Sequence, residues 1–321
     1  MLNKENVKSK IQGPVFSIIT PFLEDDRIDF DSIGSYINRI HNDGGKIYYV
    51  MAYNSRYCQL SNKEIFDLNE FVIKTVKNLN NDNIVIVGDP LHTSSKVTLE
   101  YALHAQNLGA DLVSLIFREK YYTNKQVFSH FNFVAKNSDI GILIHGMPFL
   151  IGYGGPPINY PIDLLDMLAD IPSVMAIKED SKLDEYSNNA IEIIKDRLSI
   201  IISGGGKRQW LAVSKKGCRS WLNGIGVFEP ILPIIFWNSF LKDDMASCKR
   251  IINEIEIPFF EQGVAKYGWH LTIKAALEFK GIMKRKERLP MLELEEKDYN
   301  EICNLMESLT VQSIIDDLSN K

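Results

Sequence analysis

Short runs of β-branched and aromatic residues alternate along most of this chain with longer stretches in which apolar residues recur at helical spacing. The short runs predict strands over 15–21, 46–52, 83–89, 112–117, 141–147, 174–179, 198–203 and 220–224. The longer stretches predict helices over 30–43, 61–79, 94–108, 125–136, 161–169, 184–195 and 206–216. Asp29 and Ser61 stand where helix N-caps belong, and Glu64 completes a capping box with Ser61. Gly44, Gly109 and Gly217 fall where helices should stop. Strand–helix alternation argues for parallel βαβ units, and eight of them for a closed (β/α)8 TIM barrel of the α/β class. An open doubly wound sheet fits less well, because no GxGxxG turn follows the first strand.

Beyond the eighth strand the pattern changes. Helices are predicted over 230–241, 244–255, 263–279 and 296–309 with no strand between them, punctuated by Pro258, Gly263 and the stretch 284–290. The expected organisation is therefore a barrel over 1–240 and a C-terminal helical extension over 241–321 packed on its outside.

Composition narrows the class. The 321 residues are 45% hydrophobic and 24% charged, which suits a globular protein with a core large enough to need no disulfide or structural metal. A net charge of −5 argues against nucleic-acid or anionic-membrane partners. The longest apolar stretches, such as 231–237, fall far short of the roughly 20 residues of a membrane span. Residues 1–13 are polar and lysine-dotted, with no apolar segment of the kind a signal peptide carries. Cys58, Cys218, Cys248 and Cys303 form no CxxC pair, so neither cystines nor a zinc knuckle is expected and a reducing cytoplasm is the expected home. His41, His92, His104, His130 and His270 form no HxH or HExxH set, and no catalytic metal is expected.

In a barrel, chemistry gathers at the C-terminal ends of strands. That rule selects Thr20, Tyr53, Asn54, Asp89, His145, Lys178, Ser203 and Asn223. Within 174–178 a two-residue period puts Val174, Ala176 and Lys178 on the inward face and Met175 and Ile177 toward the helices. Burial favours the neutral amine of a lysine, a nucleophile that can form a Schiff base with a ketone. The alternative is a structural lysine neutralised by Glu179 or Asp180, and register alone leaves both open. His145 is either a proton carrier or a core histidine bonded to a backbone carbonyl. The glycine-rich turns Ser203-Gly204-Gly205-Gly206-Lys207 and Asn223-Gly224-Ile225-Gly226 are either simple strand-to-helix turns or an anion site for a phosphorylated substrate. Tyr121 and Tyr122 are an aromatic pair after the fourth strand, either a subunit contact or plain surface.

With these residues in place the chain resembles the dihydrodipicolinate synthase / N-acetylneuraminate lyase family of pyruvate-handling class I aldolases. The resemblance runs from about residue 13 to about residue 309. It is carried by Ile19-Thr20-Pro21-Phe22, Ile28-Asp29, Leu60-Ser61 with Glu64, Gly88, Gly109-Ala110-Asp111 and, above all, the stretch from Ile171 to Ser181 containing Lys178. It implies a barrel with C-terminal helices, a homotetramer or dimer, no metal or organic cofactor, and a covalent imine on Lys178. Two motifs depart from the family. Its Gly-Thr-Thr-Gly-Glu-like turn, which holds the keto-acid carboxylate, is here Ala52-Tyr53-Asn54-Ser55-Arg56. Its Tyr-Asn-x-Pro motif is here His145-Gly146-Met147-Pro148, and Leu150 replaces the basic residue that synthases use for a dicarboxylate second substrate.

The implied function is a Schiff-base lyase, aldolase or dehydratase acting on pyruvate or a 2-keto sugar acid. Lys178, His145 and Tyr53 are its catalytic candidates; Thr20, Asn54, Ser55, Ser203 and Gly204 its substrate-binding candidates. The alternative is a catalytically impaired keto-acid-binding pseudoenzyme of the same fold. Arg56 either adds a cation at the mouth or pairs with a surface carboxylate.

Overall fold

Strand β1 (Gly13–Ser17) pairs in parallel with β2 (Ile47–Val50) on one side and β8 (Ser220–Leu222) on the other, and this closes the sheet. Around it run β3 (Ile84–Gly88), β4 (Leu112–Leu115), β5 (Gly141–Gly146), β6 (Val174–Glu179) and β7 (Ser199–Ile202), each paired with its sequence neighbours. The computed structural model describes residues 3–51, 53–88, 94–117, 123–147, 149–150, 157–203 and 206–319, with backbone alone at 53, 149, 150, 157, 158 and 319. The (β/α)8 barrel read from the sequence is the fold. Most strands are shorter than their apolar runs, because residues such as Ile18 and Ile19 are buried beyond the last ladder hydrogen bond.

The strands divide their side chains between two cores. Phe16, Tyr48, Val50, Val85, Val87, Val113 and Ile177 share one cluster with helix residues such as Ile37, Val72 and Ile191, between sheet and helices. Val15, Ile47, Tyr49, Ile84, Ile86, Leu112, Leu143, Ala176 and Ile201 form the other, inside the barrel. Alternation in and out with a period of two is what the pleat requires.

One expectation fails here. Met175 packs in the interior cluster and Val174 in the outer one, the reverse of the predicted faces. The pairing of β5 with β6 slips between Ile142 and Leu143, so that Ile142 opposes Val174 while Leu143 opposes Ala176. That irregularity uses one residue to reset the alternation, and Ala176 and Lys178 keep the inward direction.

Helix α1 (Lys4–Lys10), which the polar N-terminus did not suggest, sits under the barrel, with Val7 and Ile11 joining the interior core. Its lysines reach helix ends around the floor: Lys4 Nζ donates to Ala169 O at 2.5 Å and Lys8 Nζ to Lys195 O at 2.8 Å. Both carbonyls lie at helix C-termini, where the backbone dipole favours a cation.

The extension also departs from its predicted punctuation. From Met245 the chain stays helical through Tyr267, with wide π-type turns over Ile252–Glu256 and Phe259–Val264. Pro258 is absorbed (φ −58°) because the wide turns do not rely on the backbone bond a proline removes. The break comes at Gly268, whose φ of 80° is in glycine's territory. A further helix, Trp269–Phe279, then turns back over the barrel, and no helix among the described residues is long and apolar enough to cross a membrane.

Candidate active site

The pairing of β5 with β6 sets His145 opposite Lys178, at the C-terminal end of both strands. Lys178 is only 2% exposed, and its Nζ lies 3.0 Å from His145 Nε2 and 2.5 Å from Asp180 Oδ2. Asp180 is two residues on, so it returns to the same side of the strand, and its Oδ2 is 3.6 Å from His145 Nε2. Burial pushes the Asp180 carboxyl up, but the Lys178 and His145 charges outweigh it and hold it below the usual carboxylate range. Tyr49 on β2 completes this interior cluster; its phenol shares a 2.5 Å hydrogen bond with Ser114 and its ring meets His145 edge-on at 6.4 Å.

Glu179 faces the opposite way. It accepts from Ser181 N at 2.8 Å and from Ser187 Oγ at 2.7 Å, and burial raises its carboxyl to about 7 against those hydrogen bonds. Of the two carboxylates read as partners for the lysine, the structure brings Asp180 to it and points Glu179 at the surrounding helix.

Lys178 opens into a cavity of about 570 Å³ between the ends of β6, β7 and β8 and the wide helical turns of the extension. Asn54 and Ser203 line the same cavity. So do Glu256, Phe260, Val264 and Trp269, and the extension therefore contributes to the cavity besides packing on the barrel. Asn54 is fixed on both sides: its Nδ2 donates to Ser17 Oγ at 2.7 Å and its Oδ1 accepts from Trp269 Nε1 at 2.7 Å.

The remaining candidates sit differently. The Ser55 hydroxyl donates to Ile18 O at 2.6 Å and accepts from Met51 N at 2.9 Å, while Thr20 Oγ1 donates to Ser55 O at 2.6 Å. These contacts tie the ends of β1 and β2 together and leave neither hydroxyl directed at a ligand. The Tyr53 side chain and Gly204 lie outside the described residues, as do Asp89, His92, Tyr121, Tyr122, Pro148 and the side chain of Leu150.

The glycine-rich turn after β7 already holds an anion of the chain's own. Glu256 Oε2 is 2.7 Å from Lys207 Nζ, and Glu256 Oε1 accepts the Lys207 backbone N–H at 2.9 Å at the start of helix α8 (Gly206–Ser214). A carboxylate at a helix N-terminus beside a lysine is where a phosphate would have bound. Arg56 makes no surface pair; it is 4% exposed, in the left-handed region (φ 57°), with Nε 3.7 Å from the fully buried Glu287 carboxylate. Among the described residues no three His, Cys, Asp or Glu side chains gather as a metal site.

Sequence reasoning missed the cavity wall supplied by Phe260, Val264 and Trp269, and the engagement of Asn54. No local signal could have found them, because the wall comes from residues beyond the barrel whose helix seemed to break at Pro258.

A family model described as "Dihydrodipicolinate synthetase family" matches residues 10–309. An uncharacterised DapA-like lyase of Pyrococcus abyssi is 23% identical over 307 residues, covering 93% of this chain and 98% of that protein. The crystal structure of a putative dihydrodipicolinate synthetase from Pseudomonas aeruginosa superposes with a TM-score of 0.80 at 21% identity, over 93% of this chain and 99% of that one. YagE, an E. coli K12 prophage protein of the dihydrodipicolinic acid synthase family solved in complex with pyruvate, gives a TM-score of 0.79 at 17% identity, over 92% and 97% of the two chains. With the barrel, the strand-end lysine and a match over nearly its whole length, the chain belongs to the dihydrodipicolinate synthetase family.

Proposed function

We propose that this protein is a Schiff-base-forming class I lyase, an aldolase or dehydratase acting on pyruvate or a 2-keto sugar acid through Lys178. The carrying observation is the buried Lys178 Nζ opening into the cavity with His145 Nε2 at 3.0 Å and Asp180 Oδ2 at 2.5 Å. The pyruvate bound to the E. coli neighbour supports the substrate class.

In this reading the Lys178 amine attacks the substrate ketone, and His145 takes the proton that nitrogen loses. The carbinolamine loses water to give an iminium, whose positive charge the Asp180 carboxylate stabilises at close range. The iminium withdraws electrons from the adjacent carbon, so a C–C or C–O bond breaks and an enamine remains. His145 or Tyr53 returns the proton to that enamine. The backbone N–H groups of Asn54 and Ser55 hold the substrate carboxylate, Thr20 braces that turn, and Ser203 and Gly204 bound the far side. Imine chemistry then belongs to the barrel over 1–240, with the extension over 241–321 shaping the mouth. The protein acts as a homo-oligomer, a tetramer or dimer, in the cytoplasm, and its intermediate is the covalent imine with no metal or organic cofactor.

The test is reduction with borohydride in the presence of pyruvate or a panel of 2-keto acids, followed by peptide mass spectrometry. A reduced adduct on Lys178, absent from Lys178→Ala, is expected; no adduct with any keto acid refutes the imine. One observation favours the impaired binder as a second reading: the side-chain donors of Asn54 and Ser55 are already engaged by the fold. Trapping without turnover across the panel would select it.

A further inference from the structure

The cavity is too large for pyruvate alone. At about 570 Å³ it falls in the range of pockets that enclose drug-sized ligands, about 300–1,000 Å³. The character of the wall facing the second part of the substrate therefore bears on what that part is.

The polar side chains of that wall are largely committed to one another. Lys207 is held by Glu256, Asn54 by Ser17 and Trp269, and Ser181 Oγ accepts the Leu183 N–H at 3.1 Å. What the wall offers is apolar surface. Phe260 stacks on Trp269 with centroids 5.6 Å apart and planes 23° from parallel, yet remains 36% exposed, and Leu183 is 52% exposed beside the same cavity. Gly224, at the end of β8, has no side chain between these rings and the cavity; a Cβ there would lie 3.5 Å from the Trp269 indole and 3.8 Å from the Phe260 ring. Asn223 adds one oriented donor. It is fully buried, its Oδ1 accepts the Gly226 N–H at 3.1 Å, and its Nδ2 lines the cavity with no partner among the described residues.

We propose that Phe260, Val264 and Trp269 form the pocket for the part of the substrate distal to the keto acid, and that this part is a flat apolar aryl group rather than a polyhydroxylated chain. The inference rests on the imine reading for its chemistry and sharpens its substrate class. A hydroxylated chain brought against this wall would exchange water for ring carbons and leave its hydroxyls unpaired, whereas an aryl group would stack on Phe260. Asn223 Nδ2 then donates to the keto-acid carboxylate and fixes which end faces Lys178. The reaction so defined is cleavage of a 4-aryl-4-hydroxy-2-oxo acid bound as its Lys178 imine. The C3–C4 bond breaks, its electron pair forms the enamine, and the C4 hydroxyl loses its proton as the aryl aldehyde departs. The enamine takes a proton at C3, and water hydrolyses the imine to pyruvate and free Lys178.

Calorimetric titration of the full chain with 4-phenylbutanoate and with gluconate tests the pocket without needing the imine, and Lys178→Met is titrated alongside. Both proteins are expected to bind phenylbutanoate at least about tenfold more tightly than gluconate, and Phe260→Ser to remove most of that preference. Phe260 is exposed, so this variant keeps the fold. Equal or tighter binding of gluconate, no measurable binding of phenylbutanoate, or a preference that survives Phe260→Ser would overturn the proposal. Failure to trap pyruvate on Lys178 is a separate result, which removes the imine reading while the binding preference stands or falls alone.

Discussion

Replacing Glu256 by Gln removes one charge from a pair that water barely reaches. The Lys207 side chain is 0% exposed and that of Glu256 8% exposed, with 2.7 Å between Nζ and Oε2. At that separation the attraction is about 6 kcal/mol for an effective dielectric of about 20, and desolvation of both ions offsets much of it. Glu256→Gln, however, recovers none of the lysine's desolvation. A stranded buried charge of this kind costs about 3–5 kcal/mol. The amide oxygen can still accept the Lys207 N–H, so the loss belongs to the charge and not to the helix cap. In a chain of this length each kcal/mol moves the thermal midpoint by about 2 °C, so a fall of about 6–8 °C is expected. The double variant Lys207→Met/Glu256→Gln removes both charges and should return to within about 2 kcal/mol of the parent, because an apolar replacement of a buried pair is close to neutral. Equilibrium urea unfolding of the four proteins closes the cycle. The reasoning is refuted if Glu256→Gln costs less than about 1 kcal/mol, which would mean the lysine finds water. It is refuted equally if the double variant is as unstable as the single one, which would locate the effect in packing.

Two further outcomes follow from the site and its surroundings. His145→Phe should retain borohydride trapping of pyruvate while kcat falls by about 10²–10⁴-fold, and an unchanged kcat would remove His145 from proton transfer. Lys274 is buried against Phe22, and burial lowers its amine to about 8, with Glu287 opposing and Arg56 reinforcing that shift. Between pH 8 and the ordinary value of 10.5 the unfolded chain holds the extra proton, so stability contributed by this group rises with pH across that window, by about 3 kcal/mol in all. Lys274→Met should abolish that component of the stability–pH curve, read as the difference between parent and variant; a difference that stays flat refutes it.

The barrel was legible because each strand carries its own period. Run 174–179 matches β6 residue for residue, and the inward direction of Lys178 follows from the pleat. What the run does not carry is its neighbour's register. The slip between Ile142 and Leu143 exchanges the faces of Val174 and Met175, and a Cβ at Gly141 would stand 3.0 Å from Met175 Sδ. The same pairing puts His145 beside Lys178, so the juxtaposition on which the chemistry depends is a property of two strands together. Glu179 and Asp180 are adjacent in sequence and equally acidic; only the alternation of the strand decides which meets the lysine. Helix α1 was invisible for another reason. Val7 and Ile11 are too few to mark an amphipathic helix until the barrel floor is there to receive them. Thr20 and Ser55 stood at the right strand ends, yet their hydroxyls close backbone contacts that no spacing rule anticipates.

The wide turns over Ile252–Glu256 and Phe259–Val264 have a consequence for how such an enzyme could diverge. A π-type turn carries a residue more than the α-turn it replaces, so deleting one residue there would rotate everything beyond it by about 100° while the helix continued. Phe260 and Val264 would swing away from the cavity and other side chains would take their place. Lys178, His145 and Asp180, anchored on β5 and at the end of β6, would not move. Changes of length in the extension can thus exchange one substrate wall for another while the covalent chemistry stays fixed in the barrel.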